Sequence, residues 1–185
     1  MNEVDSAGGL AEMFAKIGLR HALIGGHGVN TWILPRETDD YDFIVEPKRA
    51  AIEAVEGALQ AVGMRQLRRQ DGGEPSGPDF SQLGNESRSF KIDLQIAKTE
   101  YQMLVIERAR PSESSGFSVA TPEDLVVLKL LAMRSQDQRD IALMVDLLGE
   151  RLDWPYIEHW AEVWDVVPAL RVFRPAPDAR DGGAA

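Results

Sequence analysis

Asp40 and Asp42 stand two apart where the strand-like run YDFIVE begins. Alternation along a strand puts both carboxylates on one face. Carboxylates held close together repel and lose hydration, and a hard divalent cation relieves both costs. Oxygen ligands of this kind suit magnesium. The apolar stretch Phe43 to Val45 would anchor the pair. A solvated acidic turn contains the same residues, so the D-x-D spacing acquires meaning only from what surrounds it.

Gly25 and Gly26 come earlier, after the apolar run HALI and before a helical segment, GHGVNTWIL. Glycines between a strand and a helix let backbone N–H groups approach a phosphate, and a helix start adds a field that favours anions. A tight turn without a ligand is the plainer use. Arg36 and Thr38 precede the acidic pair. Arg36 can neutralise a phosphate or lock the loop through a carboxylate, and Thr38 can bond the loop backbone. His27, just after the glycines, reads as a loop-bracing or capping residue. Asp93 lies within FKIDLQIA, where Ile92, Leu94 and Ile96 alternate with Lys91, Asp93 and Gln95. If this strand borders YDFIVE, Asp93 reaches the first pair. It can then complete a two-metal clamp or act as base toward an attacking hydroxyl; otherwise it sits on an exposed edge.

The elements that must position these residues follow from the hydrophobic pattern. Residues 9–18 read as a helix with Leu10, Met13, Phe14 and Ile17 on one face and Gly18 at its end. Pro47 suits the first turn of a helix running to about Val62, and MRQLRR reads as a strand. DGGEPSGPD is turn-rich and is expected to be an exposed, mobile loop. A helix over TEYQMLVIERA and a short strand, FSVA, follow. Thr121, Pro122 and Asp124 then suit the start of a helix, as do Ser135 and Gln138 for the next. A last helix spans about Pro155 to Val166, and the four tryptophans read as packing residues. This order predicts an α/β (α+β) fold, a small mixed sheet flanked by helices with a helical C-terminal part. The expected divisions are a core over 1–119, a helical part over 120–172 and a disordered tail over 173–185.

The chain has 185 residues, 44% of them apolar, enough for a real core. It has no cysteine, which excludes disulfides and thiolate metal sites. No signal peptide or bilayer-spanning segment is visible, so the expected location is the cytoplasm, with no membrane partner. A net charge of −10 argues against a broad nucleic-acid-coating face. It suits a cationic small molecule better.

Taken together, Gly25-Gly26, Asp40-x-Asp42 and Asp93 resemble the signature of the nucleotidyltransferase superfamily. The run Arg36-Glu37-Thr38-Asp39-Asp40-Tyr41-Asp42 looks most like the AbiEii-type, toxin/antitoxin-linked branch. The stretch TPEDLVVLKLLAMRSQDQRDI resembles the same branch through Glu123, Asp124, Leu125, Lys129, Arg134, Asp137 and Asp140. The resemblance implies a polymerase-beta-like fold that moves a nucleoside monophosphate from an NTP such as ATP to a hydroxyl. It implies two Mg2+ ions on Asp40, Asp42 and Asp93. It implies nucleotide contacts from Gly25, Gly26, Arg36, Thr38 and Lys129, and an RNA or protein acceptor with a cognate toxin or antitoxin partner. From the residues alone, Lys129 in its apolar helix either snorkels or meets anions. Arg134, Asp137 and Asp140 read as an ion network at a helix turn. Two alternatives stand beside that branch: a transferase for an aminoglycoside-type small molecule, and a non-catalytic nucleotide-binding or antitoxin module. The basic cluster Arg65, Arg68 and Arg69 is the only visible hold for RNA besides Lys48 and Arg49.

Overall fold

The computed structural model describes residues 7–70, 79–87 and 90–174. Two compact units divide the chain, Met1–Thr121 and Pro122–Ala185. The expected mobile loop over 71–79 and the tail over 173–185 fall almost wholly outside the described residues. Among the described residues no helix is long and apolar enough to cross a membrane.

The first unit is built on α1 (Ala7–Ile17), β1 (His21–Leu23), α2 (Gly25–Trp32), β2 (Asp40–Val45), α3 (Arg49–Ala61), β3 (Arg65–Gln70), β4 (Phe80–Gly84), β5 (Lys91–Ile96), α4 (Glu100–Arg108), β6 (Arg110–Pro111) and β7 (Ser118–Val119). The strands form one mixed sheet in the order β3-β4-β5-β2-β1-β7-β6. Two pairs are parallel, β2 with β5 and β1 with β7. The others are antiparallel.

One face of this sheet carries the core. Phe43 and Val45 of β2, and Ile92, Leu94 and Ile96 of β5, alternate inward against Leu10 and Phe14 of α1 and Ile52, Val55 and Leu59 of α3. Each is at most 1% exposed, worth about 1.5–3 kcal/mol of burial apiece. The ring of Phe43 meets Phe14 and Phe117 edge-on, at 5.0 and 4.9 Å between centroids. Truncating Phe43 to alanine would cost about 3–5 kcal/mol. The same alternation turns Asp40 and Asp42, and Lys91 and Asp93, to the opposite face.

Several boundaries differ from the sequence expectation. The strand FSQLG (β4) is absent from it, because its apolar residues are too few to alternate over any length; it pairs with both β3 and β5. β6 is also unanticipated, at two residues. Pro47 stands outside α3, whose N-cap is Lys48. Gly25 and Gly26 do not precede the helix but form its first two residues. A capping box opens α4, where Thr99 and Gln102 exchange hydrogen bonds.

The second unit holds α5 (Pro122–Ala132), α6 (Ser135–Leu148), a 3-10 turn (Gly149–Arg151), α7 (Trp154–Val163) and α8 (Val167–Phe173). The expected last helix, about Pro155 to Val166, corresponds to α7; α8 is an unanticipated further helix that follows Asp165, whose φ is +55°. The cap of α6 also moves by one residue. Arg134 is the N-cap rather than Ser135, and Asp137 accepts its backbone N–H at 3.1 Å.

Candidate active site

Asp42 and Asp93 are Cα partners across the parallel β2–β5 pair, and Asp40 is the partner of Lys91 two residues earlier. Register partners on neighbouring strands project to the same side. The pairing therefore brings the three aspartates to one face of the sheet, although 51 positions separate Asp40 from Lys91 in the chain.

Gly25 closes one side of this patch. Its φ is +60°, and a Cβ there would overlap the carboxylate of Asp42. A β-carbon on Gly26 would lie 2.6 Å from Thr38 Oγ1 and 3.1 Å from the guanidinium of Arg36. Both glycines are thus required by close approach, and the groups that approach are the residues singled out by type. The loop carrying Arg36 and Thr38 is pinned to α2 by a reciprocal pair: Asn30 Nδ2 donates to Arg36 O at 2.7 Å, and Arg36 N donates to Asn30 Oδ1 at 3.0 Å. The start of β2 is fixed as well, since Ile24 N donates to Asp42 O at 2.8 Å.

His27 braces this arrangement. Its ring stacks on Tyr41 at 3.9 Å and hydrogen-bonds the Thr38 backbone. Burial, and then the nearby Arg36 charge, hold it below its ordinary pKa, so the ring is neutral near pH 7.

Two residues absent from the sequence-based candidates stand on the carboxylates. Lys91 Nζ donates to Asp40 Oδ1 at 2.7 Å. Gln82 Nε2 donates to Asp93 Oδ1 at 2.7 Å. Lys91 was within reach of pattern reasoning, two residues before Asp93 on the same strand. Gln82 lies beyond such reasoning, because too few apolar residues mark its strand, FSQLG. Burial pushes the Asp93 carboxyl above the usual carboxylate range, and the negative charge of Asp40 adds to that; Gln82, Lys91 and Arg68 oppose it.

This donor set fits a hard divalent cation by its chemistry: oxygens only, on one face, with a carboxylate at Asp93 disfavoured by burial and then by the Asp40 charge, both of which such an ion would offset. As the side chains stand, no three acidic or histidine groups among the described residues form a ready metal cluster. Lys91 and Gln82 each take up a carboxylate oxygen that an ion would use.

Lys129 has partners within its own helical unit. It is 6% exposed, and Nζ lies 2.6 Å from Asp140 Oδ2 and 3.1 Å from Asp137 Oδ1. It neither snorkels nor stands bare. Arg134 Nε joins the network at 2.7 Å from Asp137. Burial raises the Asp137 carboxyl, but hydrogen bonds from Arg134 and Lys129 outweigh it and hold the group below its usual range. Of the basic cluster, Arg69 is engaged by Glu56 at 2.6 Å and Arg65 by Glu86 at 3.2 Å, while Arg68 lies over the Phe80 ring.

No protein-family model matches the sequence, and comparison with curated proteins finds no match. Solved structures do resemble it. The antibiotic-resistance factor ANT(2'')-Ia is similar with a TM-score of 0.59 at 10% identity, over 88% of this chain and 91% of that one. A nucleotidyltransferase-like antigenic protein from Paracoccidioides brasiliensis is similar at 0.50 and 14% identity, over 92% and 90%. The Megavirus polyadenylate synthase is similar at 0.53 and 9% identity, over 77% of this chain and 32% of that one. Fold is what such likenesses establish, since unrelated functions share folds. With its mixed sheet and flanking helices, the chain has the nucleotidyltransferase fold.

Proposed function

We propose that this chain is a nucleotidyltransferase that moves a nucleoside monophosphate from an NTP to a hydroxyl acceptor. The observation that carries the reading is the register of Asp42 against Asp93, with the Asp42 carboxylate lying on Gly25. Two strands distant in sequence bring together the acidic groups such a reaction needs, beside a helix start that can take phosphate.

The roles follow from the chemistry of each group. Asp40, Asp42 and Asp93 would hold Mg2+, which supplies charge neutralisation on the triphosphate. The opening N–H groups of α2, at Gly25 and Gly26, face no side chain of their own and can bond phosphate oxygens. Arg36 adds positive charge beside them, and Thr38 holds the loop. Asp93 takes the proton of the acceptor hydroxyl. The freed oxygen attacks the α-phosphorus, the bond to the β-phosphate oxygen breaks, and pyrophosphate leaves. The network of Lys129 with Asp137 and Asp140 supports a structural role for that lysine in place of a phosphate contact.

For the acceptor, the Arg36 to Asp42 pattern supports the AbiEii-type reading, with RNA or protein as acceptor and a toxin or antitoxin as partner. A specific observation favours a second reading. ANT(2'')-Ia, similar over most of both chains, has been seen with adenylyl-2''-tobramycin. An acidic chain with Arg65 and Arg69 tied to carboxylates suits a cationic small acceptor. The test is incubation of the full chain with each labelled NTP, Mg2+, and in turn total RNA, protein extract or kanamycin. Label is expected to move to one acceptor class and to stop with Asp42→Asn, whose fold is checked by circular dichroism. Transfer by Asp42→Asn at the wild-type rate would show that the chemistry lies elsewhere. Magnesium-dependent NTP binding with no transfer to anything would favour a binding module.

A further inference from the structure

Lys91 is unusual company for a cation site. It is the Cα partner of Asp40 across β2–β5, and the next pair along the same face is Asp42 with Asp93. Its ammonium lies 2.7 Å from Asp40 Oδ1, with side chains 27% and 38% exposed. An ammonium on a four-carbon stem is a compact point charge with freedom to swing. It occupies a carboxylate oxygen that a divalent ion needs, and its charge repels that ion. Taking the three aspartates as the cation site of the proposed transferase, we propose that Lys91 is a tethered competitor for the divalent cation at Asp40. In the nucleotide-free chain the ammonium holds this carboxylate, and an arriving ion must displace it. Lys91 is therefore a positioning residue that sets how tightly the empty site takes metal.

A plain cross-strand ion pair would make a different prediction: removing it would weaken the strand pairing slightly and leave cation affinity alone. The experiment is a Mn2+ titration of the full chain without nucleotide, with free Mn2+ counted by electron paramagnetic resonance. Lys91→Met should bind Mn2+ roughly three- to tenfold more tightly than wild type, the scale of a partly exposed ion pair. Lys91→Arg, which keeps the charge, should stay near wild type. Adding Asp40→Asn to Lys91→Met should abolish the gain. Lys91→Gln serves in place of Lys91→Met if the methionine variant does not fold. Unchanged or weaker binding by the neutral variants overturns the proposal while leaving the cation site standing. No Mn2+ binding by either wild type or variant overturns both the proposal and the transferase reading on which it rests.

Discussion

The carboxylate of Asp42 lies against the α-carbon of Gly25, in the space that any side chain at position 25 would fill. A residue of the acidic patch and a residue of the helix start are thus held together by the absence of a single methyl group.

Gly25→Ala should for this reason be costly twice over. The φ of +60° disfavours alanine by roughly 1–2 kcal/mol. The overlap then pushes Asp42 away, and Mn2+ binding should fall with it. Gly57→Ala, where α3 leaves open space around the added methyl, is the control and should be neutral or stabilising by up to about 1 kcal/mol. Urea denaturation and Mn2+ titration of the two variants check this. A Gly25→Ala protein as stable as wild type, with its cation affinity intact, would remove the close approach from the account.

Gln82 should tune the proton affinity of Asp93. Its amide bonds the carboxylate form, so Gln82→Ala should raise the Asp93 pKa further. In kcat/KM plotted against pH, the acid limb should move to higher pH. Stability should respond too. The folded pKa lies above the ordinary 3.8, so the folded state holds this proton more tightly than the unfolded one. That contribution is whole below 3.8 and is lost as pH rises through the folded value. In the variant the loss should extend to higher pH, read as the difference in urea midpoint between the two proteins. An acid limb that stays put would exclude Asp93 as the base.

Lys129→Met should destabilise the helical unit by about 3–5 kcal/mol, because Asp137 and Asp140 stay buried with their shared cation gone. Replacing Asp137 and Asp140 by asparagine together with the lysine change should cost less than the lysine change alone. Thermal and chemical denaturation measure both. A loss below about 1 kcal/mol for Lys129→Met would mean that the buried network contributes little to the fold.

Much of the first unit was legible in the sequence because strong local patterns coincide with tertiary demands. FKIDLQIA alternates, and the alternation is real in β5. Leu10 and Phe14 repeat at helical spacing and are fully buried. FSQLG shows where such reading stops. Only Phe80 and Leu83 are large and apolar there, and strand character comes from two neighbours that local pattern cannot see. The same limit applies at the candidate site. Asp40, Asp42 and the glycines announce themselves by type and spacing. The contact of Gln82 with Asp93 depends on a register that only the folded sheet fixes. Lys129 was ambiguous for a related reason. An apolar helix tells that a lysine is out of place but not which acids, eight and eleven positions later, come to meet it.

The parallel pairing of β2 with β5 has a consequence for how ligands report on this protein. The two strands are joined through α3, β3 and β4, so their acidic groups are strangers in the denatured ensemble and neighbours only after long-range closure. Whatever ion or nucleotide settles there recognises the native state alone. Its binding should therefore appear as a rise in melting temperature that grows with the logarithm of concentration, giving a screen for the natural ligand that needs no knowledge of the reaction.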